Sequence, residues 1–257
     1  MSYHGKQYNI LITNDDGIDA DGLAILAKAA KDFGHVTIVA PDHQCSGMSQ
    51  KLTLSTPMAL KSVPDYPVDG VDAYSLAGTP VDCAKLAILK LFPQKPDLIF
   101  SGINFGFNAG FDCANSGTVG AALEALTLGV PGIAFSNGVP EGSVFNGKGA
   151  DYTVIERFLP EIIDELLHTE IEPSAFWNVN FPGCPLSELN GILRNRTIAQ
   201  LRPYKDNLEK GYLPDGTVTY ALKDHMIDKS EAPEGSDIHA LLNNYISIGK
   251  IYNAMMI

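Results

Sequence analysis

The sequence predicts an α/β protein built on a doubly wound, mostly parallel sheet. Three observations lead there. Short apolar runs alternate with stretches of helical period through the first half of the chain. Gly, Pro, Asn or Asp punctuates nearly every junction between them. The 257 residues, 45% hydrophobic, are enough to bury a sizeable core on both faces of such a sheet.

Residues 8–12 form the first strand, an apolar run carried by Tyr8, Ile10, Leu11 and Ile12. It runs into Asn14, Asp15, Asp16 and Gly17, where glycine permits a sharp turn. Residues 20–33 read as a helix, with Leu23, Leu26, Ala27 and Ala30 on one face. Residues 36–40 are a second strand, closed by Pro41-Asp42, and a polar loop with Ser46, Gly47 and Ser49 follows. Residues 52–62 alternate apolar and polar and are expected to pair as a ribbon with residues 71–76.

Thr79, Pro80 and Asp82 suit the start of a helix as cap, first position and charge at the positive end. That helix runs to Phe92. A third strand at 98–101 leads to a Gly- and Asn-rich stretch, 102–117. A small-residue helix at 120–128 and a strand at 132–136 complete the first half.

The second half is less regular. Residues 151–168 form an amphipathic helix, with Ile155, Phe158, Leu159, Ile162, Ile163 and Leu166 inward. Strands are expected at 176–181 and 192–201. A projecting hairpin is expected around Pro214-Asp215-Gly216, with a strand at 217–222. A helix at 237–245 and a strand at 246–248 end the chain.

Composition narrows function. A net charge of -12 argues against wrapping nucleic acid, whose phosphates need a basic footprint. Cys45, Cys83, Cys113 and Cys184 are scattered without C-x-x-C spacing and read as free thiols in a reducing compartment. Residues 1–9 are polar, and no apolar run approaches membrane-span length. The expectation is a soluble cytoplasmic protein with no membrane association.

The right-handed crossover rule brings the loops after the first three strands to one edge of the sheet. Asp15, Asp16, Ser46 and Asn104 then converge as hard oxygen donors, a set suited to a divalent cation. Two adjacent buried carboxylates repel, and a cation offsets that directly. The competing readings are local: Asp15 as a helix cap with Asp16 solvated, Ser46 capping a turn, Asn104 bracing one. Ser116, Gly117 and Thr118 stand where a helix N-terminus would cradle an anion, and Ser116 also suits a plain N-cap. Neither a P-loop nor G-x-G-x-x-G is present, nor a serine-hydrolase elbow or His-Cys zinc spacing. His4, His35, His168 and His225 fall in terminal or surface contexts. His43 lies in the Ser46 loop, and His239 in the last helix.

Taken together, I-L-I-T-N-D-D-G-I (10–18), V-A-P-D (39–42), S-G-M-S (46–49), A-G-T-P-V-D-C (77–83), P-D-L-I-F-S-G-I-N-F-G-F-N-A-G (96–110), S-G-T-V-G-A-A-L-E-A (116–125), N-V-N-F-P (178–182) and S-D-I-H-A (236–240) resemble the SurE-type survival-protein phosphatases. The resemblance is dense over 8–136 and continues in order to the C-terminus. It implies a three-layer α/β/α fold, with a projecting β-ribbon and C-terminal elements that serve oligomerisation. It implies one domain over 1–257, with 1–140 as the nucleotide- and metal-binding core and 141–257 completing it. One Mg²⁺ or Mn²⁺ per subunit is implied on Asp15, Asp16, Ser46 and Asn104, and so is a homodimer or homotetramer.

The implied activity is hydrolysis of nucleoside monophosphates to nucleoside and phosphate, with 3′-nucleotides and short polyphosphate as further substrates. Asp15, Asp16 and Asn108 are the implied catalytic residues. Asn14, Asn108, Ser116, Gly117 and Thr118 are the implied substrate contacts. The loop Asp42-His43-Gln44-Cys45 lacks the basic residues common in the family, and Ala114-Asn115 replaces a common aromatic. Three rivals stand beside this reading: a non-catalytic nucleotide or metal sensor, a phosphatase for another phosphomonoester, and an aspartyl-phosphate enzyme. The last usually needs two Asp separated by one residue, whereas here they are adjacent.

Overall fold

The structure is a computed structural model that describes residues 6–139, 147–205, 207–223 and 225–256. His4, part of the polar start and residues 140–146 of the core boundary lie outside the described residues. Strands β1 (Tyr8–Thr13), β2 (Gly34–Pro41), β3 (Leu60–Ser62), β4 (Asp72–Leu76), β5 (Leu98–Phe105), β6 (Gly132–Asn137), β7 (Ala175–Phe181) and β8 (Gly191–Arg196) precede the polar segment. Within it lie β9 (Tyr204–Lys205), β10 (Leu208–Tyr212), β11 (Val218–Leu222) and β12 (His225–Met226), and β13 (Tyr245–Tyr252) follows. The helices are α1 (Asp21–Ala30), α2 (Pro80–Leu86), α3 (Gly117–Thr127), α4 (Thr153–Leu167) and α5 (Asp237–Leu242).

Nine strands form one sheet in the order β3-β4-β2-β1-β5-β6-β7-β13-β8. The six from β4 to β7 are parallel, while β3 and β13 run antiparallel to their inner neighbours β4 and β7. Strand alternation divides the core. Ile10, Ile12, Phe100, Phe135 and Val179 pack under α1 and α4. Leu11, Val39, Ile99 and Ala134 pack under α2 and α3 on the other face. This is a three-layer α/β/α arrangement. The chain runs outward from β1 to β2 and β4, then crosses back to β5 on the other side of β1. The carboxyl ends of β1 and β5 therefore flank the crevice where open α/β sheets bind ligands.

Several expectations shift in detail. Residues 52–59 form no strand; only β3 pairs with β4, and β4 belongs to the main sheet beside β2. The second helix ends in a π-helical turn, Ala87–Leu91. Strand β5 extends to Phe105, α3 starts three residues before the expected position, and β8 stops at Arg196. The expected hairpin is β10 paired with β11. Leu208, Tyr212, Leu213, Val218, Tyr220 and Leu222 are all exposed on it. Among the described residues, no helix is long and apolar enough to cross a membrane.

Candidate active site

The turn after β1 is built by Asn14. Its amide nitrogen donates to the Gly17 carbonyl at 2.9 Å and its amide oxygen accepts the Gly17 N–H at 3.2 Å. Gly17 has φ +99°, a conformation that favours glycine. Asn14 was expected among the substrate contacts; its amide is engaged at both ends in bracing the turn. The turn buries Asp15 and Asp16 together. Neither caps α1, whose N-cap is Ala20.

Asp15 reaches the start of α3. The Thr118 hydroxyl donates to Asp15 Oδ1 at 2.7 Å. The Gly117 and Thr118 main-chain N–H groups also favour its ionised form, though burial is the larger effect and pushes its pKa up. A Cβ on Gly117 would lie 2.8 Å from the Asp15 Cβ. Asp15 therefore occupies the positive end of α3, where an anion is favoured. Ser116 caps the helix, accepting the Val119 N–H at 3.0 Å.

Asp16 faces β5. Its Oδ2 accepts the Phe105 N–H at 2.8 Å. Gln44 lies close enough to favour the ionised carboxylate, yet Oδ1 is buried and receives no hydrogen bond of sound geometry. Burial first, and the Asp15 charge second, push the Asp16 pKa up. Beside it, Asn104 donates its amide nitrogen to the Gly106 carbonyl at 2.8 Å, which leaves the amide oxygen as its acceptor.

The Ser46 loop is tied to both halves. Cys45 N–H donates to the Asp15 carbonyl at 2.7 Å, and Ser46 follows on the exposed side. Ser49 donates through its main chain to the Asn115 carbonyl at 3.0 Å and through its hydroxyl to the Ala114 carbonyl at 2.7 Å. Both departures from the family pattern thus fall on this bridge. His43 pairs with its neighbour Asp42 at 2.7 Å.

Asn108, in the loop after β5, is held by residues that were not among the expected site residues. Its main-chain N–H donates to Asn180 Oδ1 at 2.9 Å. Its carbonyl accepts from the Asn178 and Asn180 amides at 2.9 and 3.0 Å. Its own amide donates to Ser136 Oγ at 2.9 Å. Two residues on, the Gly110 N–H donates to buried Asp237. The available signal was N-V-N within a buried strand: polar side chains two apart share a face and need partners.

The donor set fits a hard divalent cation. It is all oxygen, and the buried, unpartnered Asp16 Oδ1 is the atom that a cation would satisfy. Among the described residues no three His, Cys, Asp or Glu side chains cluster for a metal. The residues expected beside the two carboxylates, Ser46 and Asn104, carry neutral oxygens.

A family model described as survival protein SurE matches residues 10–203. The chain belongs to the SurE family. A protein named 5′-nucleotidase SurE from Pelobacter propionicus is 36% identical over 244 residues, 95% of this chain and 93% of that protein. One of the same name from Chlorobium phaeobacteroides is 40% identical over 188 residues, 73% of this chain and 69% of that protein. A crystal structure of the SurE protein from Aquifex aeolicus is similar at TM-score 0.76 and 34% identity, covering 95% of this chain and 92% of that one.

Proposed function

We propose that this SurE-family chain is a metal-dependent 5′-nucleotidase, hydrolysing nucleoside monophosphates to nucleoside and inorganic phosphate. The observation that carries the site is the buried Asp15–Asp16 pair with Asp16 Oδ1 unpartnered, set against the N-terminus of α3. Family membership and the names of relatives support the substrate class.

Asp15, Asp16, Ser46 and Asn104 would hold one Mg²⁺ or Mn²⁺. A divalent cation there supplies Lewis-acid polarisation and neutralises phosphate charge. Thr118 and the first amides of α3 aim Asp15 and offset part of the burial that disfavours its charge. Phe105 N–H fixes one oxygen of Asp16 and leaves the other toward the site. Asn108 and the Ser116 hydroxyl would orient the phosphoryl group and stabilise the charge that develops on it, since the Gly117 and Thr118 amides are directed at Asp15. Asn14 acts through the turn it braces.

The exposed apolar hairpin β10–β11 and the exposed C-terminal side chains Tyr252 and Met255 support a homodimer or homotetramer. The four free cysteines support a reducing, cytoplasmic setting. Light scattering on the purified chain tests the assembly.

Phosphate release from 5′- and 3′-nucleoside monophosphates, short polyphosphate and an aryl phosphate tests the function. It is run with Mn²⁺, Mg²⁺ or chelator, beside Asp16→Asn. Release that needs metal, ranks nucleoside 5′-monophosphates first and disappears in Asp16→Asn is expected. Binding of nucleotide with no turnover by folded, metal-loaded protein would overturn it.

A further inference from the structure

We propose that Ser136, Asn178 and Asn180 are positioning residues that hold Asn108 at the reacting phosphoryl group; the inference rests on Asn108 being a phosphate contact. They come from two adjacent sheet strands, far from Asn108 in sequence. Strand register aligns Asn104, Ser136 and Asn180 in one row across β5, β6 and β7. Asn178, two residues before Asn180, lies on the same face, the one covered by α3. Phe176, two residues earlier again, packs with Val119 and Ala122 of that helix. The carboxyl end of this sheet face is therefore polar, while the rest of it is apolar.

Polar side chains buried in a sheet are costly without partners. Ser136, Asn178 and Asn180 are all buried, and all three direct hydrogen bonds to the single residue Asn108. Three of the four bonds fix its main chain and the fourth orients its side chain. Asn178 Oδ1 is left buried without a partner. An apolar strand end would have served packing better. What this set supplies instead is a fixed place for one side chain, registered against Asn104 by the same row. A second anchor, Gly110 to Asp237, restrains the loop beyond it.

Misplacing a reacting or stabilising group by ~1 Å costs on the order of 100-fold in rate. Steady-state kinetics of the full, metal-loaded chain on a nucleoside 5′-monophosphate test the inference through a double-mutant cycle. Asn108→Ala and Asn180→Ala should each lower kcat on the order of 10- to 100-fold, with a smaller change in KM. The double variant should be no slower than Asn108→Ala, because Asn180 acts only through the side chain already removed.

Wild-type kcat in folded Asn180→Ala overturns the positioning role. So do losses that multiply in the double variant, as a general loosening of the fold would produce; Asn108 then keeps its phosphate contact. Wild-type kcat in Asn108→Ala overturns that contact, and the inference with it. Should Asn180→Ala not fold, Ser136→Ala carries the same cycle. It removes one acceptor from the Asn108 amide and leaves all three main-chain bonds in place.

Discussion

The Thr118 hydroxyl donates to Asp15 Oδ1 at 2.7 Å, joining residues 103 positions apart. This bond links the first strand's terminal turn to the N-terminus of α3. Asp15 is buried, and burial disfavours its charge. Its donors on α3 offset part of that cost. Removing such an outer partner of a metal-binding group typically costs about 10- to 100-fold in metal affinity or activity. Thr118→Val keeps the shape and loses the donor. It should weaken Mn²⁺ binding by that factor while folding normally. Calorimetric titration checks it, and unchanged affinity would detach Thr118 from the metal half of the site.

Gly117 tests the same contact from the side of packing. Gly→Ala helps by about 1 kcal/mol in a helix interior, and Gly117, at the first position of α3, stands to gain at most that. Here the new methyl would stand 2.8 Å from the Asp15 Cβ and 3.1 Å from Pro80 Cγ, with little room to yield. Overpacking of this kind costs about 1–3 kcal/mol, so packing wins over propensity. Gly117→Ala should lower the melting temperature and reduce kcat/KM further than the loss of fold accounts for. A stabilised, fully active variant would mean that Asp15 moves freely.

The first half of the fold was legible because its signals are local. A buried strand ending in two carboxylates, with a glycine turn and a helical repeat behind it, needs only a dozen residues. Sheet order is another matter. That Asp15 meets Thr118, and not merely solvent, depends on β1 and β5 being neighbours after a crossover. Asn178 and Asn180 stand in a motif that resembles the family, but their role was not legible, since their partner lies 70 and 72 residues away.

The segment 52–59 misled for a physical reason. Leu52 and Leu54 alternate with polar residues, but Leu54 is 87% exposed. The neighbouring backbone bonds to side chains: Thr53 N–H to Asp82, and the Lys51 carbonyl to the Thr79 hydroxyl. Its periodicity therefore marks no sheet face.

The paired carboxylates set a pH signature. Burial pushes both Asp15 and Asp16 upward, and each therefore binds its proton more tightly in the folded chain than in the unfolded one. Their contribution is fully present below the ordinary carboxylate pKa of about 4. It is lost as pH rises through their elevated values. A bound cation favours the ionised pair and reverses the trend. The chelated protein should thus lose thermal stability as pH rises above that range. Mn²⁺ should raise the melting temperature more at about pH 8 than at about pH 5. Melting curves with and without chelator decide it. An equal metal increment at both pH values would place the cation away from this pair.

Asp82 gives the opposite sign. Burial works against its charge, but hydrogen bonds from Thr79 and Thr53 outweigh burial and hold its pKa below the ordinary carboxylate value. The Thr79 hydroxyl accepts the Asp82 N–H, and Asp82 accepts the Thr79 N–H, closing a capping box at the start of α2. The same carboxylate also receives the Thr53 N–H at 3.0 Å and the Thr53 hydroxyl at 2.7 Å, pinning the loop that follows Ser46. A hydrogen bond to a charged group contributes about 1.5–3 kcal/mol, and a chain of this size shifts by roughly 2–4 °C per kcal/mol. Asp82→Ala should therefore melt several degrees below the wild type at neutral pH. Because the folded-state pKa is depressed, the advantage of Asp82 exists above the unfolded value of about 4 and fades as pH falls through the folded one. Melting curves of the two proteins should converge in acid. A gap that persists unchanged there would mean that the ionised carboxylate is not what holds the cap and the Thr53 loop.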